Sequence, residues 1–201
     1  AILGAEQEQR AAASVAPVFT PPDSGIARQQ LDRARQVIDY IGSVRADPFS
    51  TQGQKRAWIV AVPELSEAPI ETLDRILSLS EEGWNRAQLE TLAVVDQAMR
   101  GSLREGGLEE AYQSLLPLVS LDLTADEAAV TVALTQSFLI PNSFLDPDAT
   151  TQAQARAREN VSPVLRTFEA DEIIVREGQR VTALDIEALD ELGLRQAQVK
   201  W

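Results

Sequence analysis

The chain has 201 residues, 44% of them apolar and 24% charged, the composition of a folded soluble domain with length for one good core or two small ones. Asp and Glu number 31 against 18 Lys and Arg, a net charge of −13; this repels phosphate backbones and anionic headgroups and excludes nucleic acid as an expected partner. Cys and His are both absent, which rules out disulfides, thiolate nucleophiles, Cys or His zinc sites and imidazole bases within this chain.

Most of the chain reads as helix. Ala5–Ser14 is rich in helix formers, and Pro17, Pro21 and Pro22 end it with an extended link. Asp23 or Ser24 caps the next helix, whose apolar stripe is Leu31, Ala34, Val37, Ile38, Ile41 and Val44 at steps of three and four; Asp47-Pro48 stops it. Gln52–Val62 is a short segment carrying Trp58 and Ile59. Ile70–Leu79, entered through Pro69, presents Ile70, Leu73, Ile76 and Leu77 on one face. Glu81–Leu103 is the longest candidate, with Trp84, Leu92, Val95 and Met99 expected inside. Gly106-Gly107 breaks it, and Leu108–Leu121 resumes as helix disturbed by Pro117. Thr124-Ala-Asp-Glu127 is a capping-box sequence opening a helix to about Phe138. Asp146-Pro147-Asp148 marks a loop, and Thr150–Asn160 forms a further polar helix.

After Pro163 the pattern changes. Phe168, Ile173, Ile174 and Val175 are strand formers, with turns at Asp171 and Gly178, so a strand-turn-strand unit is expected. Thr182-Ala-Leu-Asp185 is a second capping box, Val181 and Ile186 are placed for a hydrophobic staple, and Ile186, Leu189 and Leu192 make a buried stripe that Gly193 ends in a left-handed turn. The lead-in to this unit, Arg156-Ala-Arg-Glu-Asn-Val-Ser-Pro-Val164, echoes Arg10-Ala-Ala-Ala-Ser-Val-Ala-Pro-Val18, which suggests that the two ends of the chain pair in space.

Candidate chemistry is sparse. Glu109/Glu110, Asp185/Glu187 and Asp190/Glu191 are carboxylate neighbours, but adjacent residues on a helix diverge, and all of them read as a solvated face. Asp146-Pro147-Asp148 lacks the alternating ligands, central Gly and closing Glu of a calcium loop and reads as a turn and cap. No phosphate-cradling Gly pattern occurs. Trp58 and Trp84 are expected in the core. No run of about 18 apolar residues is present, so no segment is expected to span or insert into a bilayer. The start at Ala1, without a signal-peptide pattern, suggests a processed product or an excised domain.

Val161-Ser-Pro-Val164, Glu172-Ile-Ile-Val-Arg-Glu-Gly178, Val181-Thr182 and Leu189–Leu194 resemble the C-terminal half of the extracellular domain of bacterial seven-transmembrane HD-hydrolase receptors. Val15-Ala-Pro-Val-Phe-Thr-Pro-Pro-Asp23, Ala27-Arg-Gln-Gln30, Val44-Arg-Ala-Asp47 and Pro141-Asn-Ser-Phe144 extend that resemblance across the chain. Asp171 and Gln179 stand where the family often has Gly and Glu. The resemblance implies a PgpH-like cyclic di-AMP phosphodiesterase as parent. This piece lies between its first transmembrane helix and the other six, on the extracytoplasmic face of the bacterial cytoplasmic membrane. The metal-dependent HD site lies elsewhere in that polypeptide.

The expected architecture is therefore mainly α (α+β): one extracytoplasmic domain, 1–201. Within it, 1–160 forms a helical body, and 161–201 forms a small β-hairpin unit with a capping helix that packs with the N-terminal segment and brings the termini close together. The expected function is a non-catalytic sensory or regulatory input domain. Its partners are an extracellular ligand or envelope partner and the transmembrane and HD domains of the same polypeptide. No cofactor, metal or catalytic residue is assigned, and no ligand-binding residue is singled out. A second reading is a structural, dimerising or envelope-interaction module without ligand. A third is a carboxylate-based glycosidase acting on an envelope polysaccharide.

Overall fold

A computed structural model describes residues 2–161, 173–176, 178–191 and 193. The chain is mainly helical, with nine α-helices among the described residues: α1 (Ile2–Ala13), α2 (Ser24–Ala46), α3 (Gln52–Val60), α4 (Ile70–Ser78), α5 (Glu81–Met99), α6 (Leu108–Gln113), α7 (Ala125–Phe138), α8 (Pro147–Glu159) and α9 (Ala183–Glu191). Its contacts divide it into two compact units, 20–144 on the one hand and 1–19 with 145–201 on the other.

In the 20–144 unit the local signals produce the helices they specify. Asp23 accepts from the backbone N–H groups of Gly25 and Ile26 and starts α2. Thr51 with Gln54, and Thr124 with Glu127, form reciprocal capping boxes at α3 and α7. These satisfy N–H groups that a helix start otherwise leaves unpaired. Pro117 confines α6 to six residues, and the chain continues as a 3₁₀ turn over Leu116–Leu118.

The buried face of α2 is Ala34, Val37, Ile38, Ile41 and Val44, and Leu31 packs against its edge. Helix α5 lies against both α2 and α7, α4 packs on α7, and α3 bridges α2 and α4. The continuous hydrophobic core runs from Ala34 to Leu139 and lies wholly within this unit. Phe138 at its centre is fully buried; truncating such a side chain to Ala costs about 3–5 kcal/mol.

The other unit brings the chain ends together at the level of helices: α1 packs against α8 and α9. The helices that carry the first parts of the sequence echo, α1 and α8, are thus in contact. The second Val-x-Pro-Val exit, at 161–164, lies outside the described residues beyond Val161. Within this unit Phe19 and Leu145 form an antiparallel bridge, Asp146 N–H donates to Val18 O at 2.8 Å, and Val18 N–H donates to Thr150 Oγ1 at 2.9 Å.

Three expectations are corrected. The strand-turn-strand unit is not supported: no strand occurs among the described residues, and residues 168–172 and 177 of that segment lie outside them. Ile173 is two-thirds exposed, and Arg176 and Gln179 close a local turn, with Gln179 N–H donating to Arg176 O at 3.0 Å. Strand formers become strand only against a partner edge, and the β pairing that is described joins Phe19 to Leu145 instead. Trp58 is 41% exposed and Ile70 54% exposed, so neither belongs to the core, whereas Trp84 does, at 3%. Leu189 is only partly buried; α9 is a lightly seated helix, although Gly178 and Gly193 adopt the expected positive φ, at 82° and 65°.

Candidate functional site

Two of the segments that carry the family resemblance, Val44–Asp47 and Pro141–Phe144, fold into backbone ties of the 20–144 unit. The Arg45 side chain is 5% exposed. Its guanidinium donates to Ile76 O and, at 2.7 Å, to Leu79 O, the free carbonyls at the end of α4. It lies 5.1 Å from the Trp84 ring centroid, a cation–π distance. Burial lowers its pKa, opposed by Glu81. One arginine therefore joins α2, the end of α4 and the start of α5. Asp47 accepts from Ser50 Oγ and, at 3.0 Å, from Phe49 N–H, and these hydrogen bonds hold its carboxyl below the usual range.

Asn142 is fully buried. Its carboxamide donates to Met99 O (2.8 Å) and Gly101 O (3.0 Å) and accepts from Leu103 N–H (2.8 Å). Every polar position of the side chain is thus spent on the turn after α5. Ser143 Oγ donates to Thr20 O at 2.6 Å. These residues hold the fold and leave no group free to bind a ligand.

A second charged cluster joins α5 to α7. Glu127 is buried, and its carboxylate receives Arg86 NH2 and Nε at 2.5 and 3.3 Å and Thr124 N–H at 2.9 Å. The Arg86 hydrogen bonds lead, with Thr124, in pushing its pKa down. Gly83 makes room for it: a Cβ there meets Glu127 Oε1 at 2.8 Å. The pair is a lock, since an ionised, fully paired carboxylate is a poor proton donor.

An open groove of the unit, about 600 Å³, is lined by Gln29, Gln30, Asp32, Arg33, Gln36 and Glu64. Arg33 and Glu64 form a two-pronged pair, Nε to Oε1 at 2.5 Å and NH2 to Oε2 at 2.9 Å. The Arg33 hydrogen bond lowers the pKa of Glu64 and raises that of Arg33. Asp32 is held by Arg35 at 2.8 Å. The groove is a polar surface whose charges are paired, and Glu64, gripped by Arg33, is an acceptor rather than an acid. That opposes a glycosidase, which needs one carboxyl kept protonated.

The remaining sequence candidates fall elsewhere. Glu109 and Glu110 are exposed in the first turn of α6, as a solvated face requires. Asp185 departs from that reading. It is 7% exposed and completes the α9 capping box, accepting from Thr182 N–H (2.9 Å) and Thr182 Oγ1 (2.7 Å). Asp190 is exposed, and the side chains of Glu187 and Glu191 lie outside the described residues. Asp146 caps α8, with Pro147 in its first turn. Trp201 and Asp171 also lie outside the described residues. Gln179 Oε1 accepts from Arg176 N–H at 3.3 Å and serves its own turn. No group of three His, Cys, Asp or Glu residues able to hold a metal occurs among the described residues. Gln29 and Gln30 of the groove lie in the Ala27–Gln30 resemblance segment, and the signal that finds the rest is the polar stripe opposite the α2 core face.

The chain is thus a mainly helical domain in which Arg45, Asp47, Asn142 and Ser143 are spent on fold ties. The chain belongs to the 7TM-HD extracellular family, whose pattern matches residues 3–196. No curated protein and no solved structure matches it. It is thus the extracellular domain of a membrane protein of that family, and among the described residues no helix is long and apolar enough to cross a membrane.

Proposed function

We propose that this chain is the non-catalytic sensory or regulatory input domain of a membrane-bound HD-type phosphodiesterase that hydrolyses cyclic di-AMP. On this reading it faces the extracytoplasmic side of a bacterial cytoplasmic membrane. The observation that carries the reading is the family match across residues 3–196. A catalytic HD centre needs His ligands, and this chain has no His, so the chemistry belongs to another part of the parent polypeptide. An extracytoplasmic ligand or envelope partner acts by favouring one of two receptor arrangements, to the extent that it binds them unequally.

The test uses the intact receptor in membranes. Residues 20–144 are replaced by a short Gly-Ser turn joining Phe19 to Leu145, which an antiparallel bridge already sets side by side. Cyclic di-AMP hydrolysis that changes in rate or loses its response to envelope extracts supports the reading. An unchanged rate and response overturns it.

A second reading, an interaction module, draws on exposed leucines. Leu89, Leu116 and Leu121 are 69%, 64% and 100% exposed. They flank the point where Ser120 N–H donates to Glu90 Oε1 at 2.7 Å. Sedimentation of the purified chain with and without Leu121→Ser tests it: association that this substitution weakens favours the module.

A further inference from the structure

The α2 stripe that lines the groove does not end at Gln36. Gln29, Arg33, Gln36 and Tyr40 follow one another at steps of four, three and four, a single stripe of the helix, while Ala34, Val37, Ile38 and Ile41 on the other face are buried. The facing wall is α3 and the turn after it. Three ties set its register: Lys55 Nζ donates to Arg45 O at 2.7 Å, Tyr40 Oη lies 3.5 Å from Trp58 O, and Arg33 grips Glu64. Beyond the groove, one turn past Gln36, the same stripe reaches Tyr40 (43% exposed), whose Oη meets the backbone carbonyl of Trp58 (41% exposed).

The chemistry of this stripe selects a ligand. Arg33 is consumed by Glu64, and Asp32 is held by Arg35. A charged ligand must break one of these pairs to find a counter-ion. The carboxamides of Gln29, Gln30 and Gln36 engage no partner among the described residues. Each offers two donors and an acceptor, the complement of hydroxyl and acetamido groups. Tyr and Trp add flat apolar faces with a polar edge, which suit the C–H face of a pyranose ring.

We propose that the stripe from Gln29 to Tyr40, with Trp58, is a binding site for a neutral, hydroxyl- and acetamido-bearing oligosaccharide. One sugar ring packs on Tyr40 and Trp58, and the next is hydrogen-bonded by the carboxamides of Gln36 and Gln29. This deepens the sensory reading and rests on it for its consequence in the cell, whereas binding to the purified chain is measured independently of it.

The experiment titrates the purified 201-residue chain with a β-1,4-linked N-acetylglucosamine tetrasaccharide, read by tryptophan fluorescence and calorimetry. The expected result is saturable binding in the micromolar to millimolar range that persists when salt rises from about 0.05 to about 0.5 M. Trp58→Ala and Gln36→Ala should each weaken it by about tenfold or more. Both side chains are exposed, so far-UV circular dichroism and Tm should be unchanged; Trp58→Phe should retain most of the affinity. No binding at about 10 mM of this sugar or of a neutral α-1,4-glucan tetrasaccharide overturns the proposal. So does binding that these substitutions leave intact, or binding that salt abolishes. Binding in the purified chain with no effect on intact-receptor activity would refute the sensory reading and leave the site standing.

Discussion

Gly83 offers a direct test of the α5–α7 lock, because two effects of known size oppose each other there. Replacing a helical Gly by Ala normally stabilises by about 1 kcal/mol. At Gly83 the added methyl meets Glu127 Oε1 at 2.8 Å and Ser80 Oγ at 3.2 Å. Neither neighbour is free to withdraw. Arg86 and Thr124 hold the Glu127 carboxylate, and Ser80 Oγ is the N-cap acceptor for Gly83 N–H at 3.0 Å. Forcing an extra carbon into such a site costs about 1–3 kcal/mol.

The clash wins, and Gly83→Ala should lower stability by up to about 2 kcal/mol net. Gly42→Ala is the matched control. Its Cβ would meet Trp84 Nε1 at 3.5 Å, an ordinary contact, so the helix term stands alone and the variant should gain about 0.5–1 kcal/mol. Urea denaturation followed by circular dichroism gives both values. A double-mutant cycle with Glu127→Ala should turn the effect of Gly83→Ala from destabilising to neutral or favourable. If Gly83→Ala stabilises as much as Gly42→Ala, Glu127 is not held where the lock requires.

Arg45→Ala strips donors from the Ile76 and Leu79 carbonyls and should cost at least about 2 kcal/mol in urea titration, at about 1–3 kcal/mol per orphaned group. Arg45→Lys should recover little, because a single ammonium cannot span both carbonyls and lie flat on Trp84. Glu64 and Glu127 have folded pKa values below the ordinary 4.5, so the unfolded chain binds more protons through that window. Stability should be fully present above about pH 4.5 and fall as pH drops through the depressed values; denaturant midpoints that stay flat from pH 5 to about pH 3 contradict the pairing. The fragment 20–144 should fold alone with a cooperative thermal transition, since the continuous core lies inside it, and a fragment that melts without a transition shows that the core is incomplete. Leu189→Ala should cost about 1 kcal/mol, below the range for a fully buried leucine, because the side chain is only partly buried; a larger loss means α9 is more deeply seated.

Where a local rule decides the outcome, the sequence is legible. Asp23, Thr124 and Thr182 cap because their side chains reach N–H groups two or three residues on, and the α2 stripe follows from helical periodicity. Trp58 and Ile70 were misplaced because periodicity marks a face without saying whether anything covers it; α3 and α4 are nine residues each, and their outer edges remain open. The strand formers after Pro163 misled for a related reason, since strand formation is settled by a partner that local composition does not reveal. The bridge between Phe19 and Leu145 joins residues 126 positions apart in sequence, and no local pattern announces it. The groove was invisible because glutamines opposite a buried stripe look like any solvated helix face until Glu64 and Trp58 are brought alongside.

The division of labour among residues bears on what family membership conveys. Asp23, Arg45, Asp47, Asn142 and Ser143 sit in the segments that make the family recognisable, and each is spent on backbone groups or an aromatic face. Such residues tolerate little change because a buried donor or acceptor left unpaired costs about 1–3 kcal/mol, whatever the domain binds. Their bonds specify the fold and are silent on any ligand. On the proposed reading, ligand choice falls to the carboxamides of Gln29, Gln30 and Gln36 on α2, the first two of them inside the Ala27–Gln30 segment, and to the exposed rings of Tyr40 on α2 and Trp58 on α3. Substituting Gln29, Gln30 or Gln36 is nearly free of folding cost, because no hydrogen bond among the described residues depends on those carboxamides, whereas Arg33 and Tyr40 on the same stripe carry ties to Glu64 and Trp58.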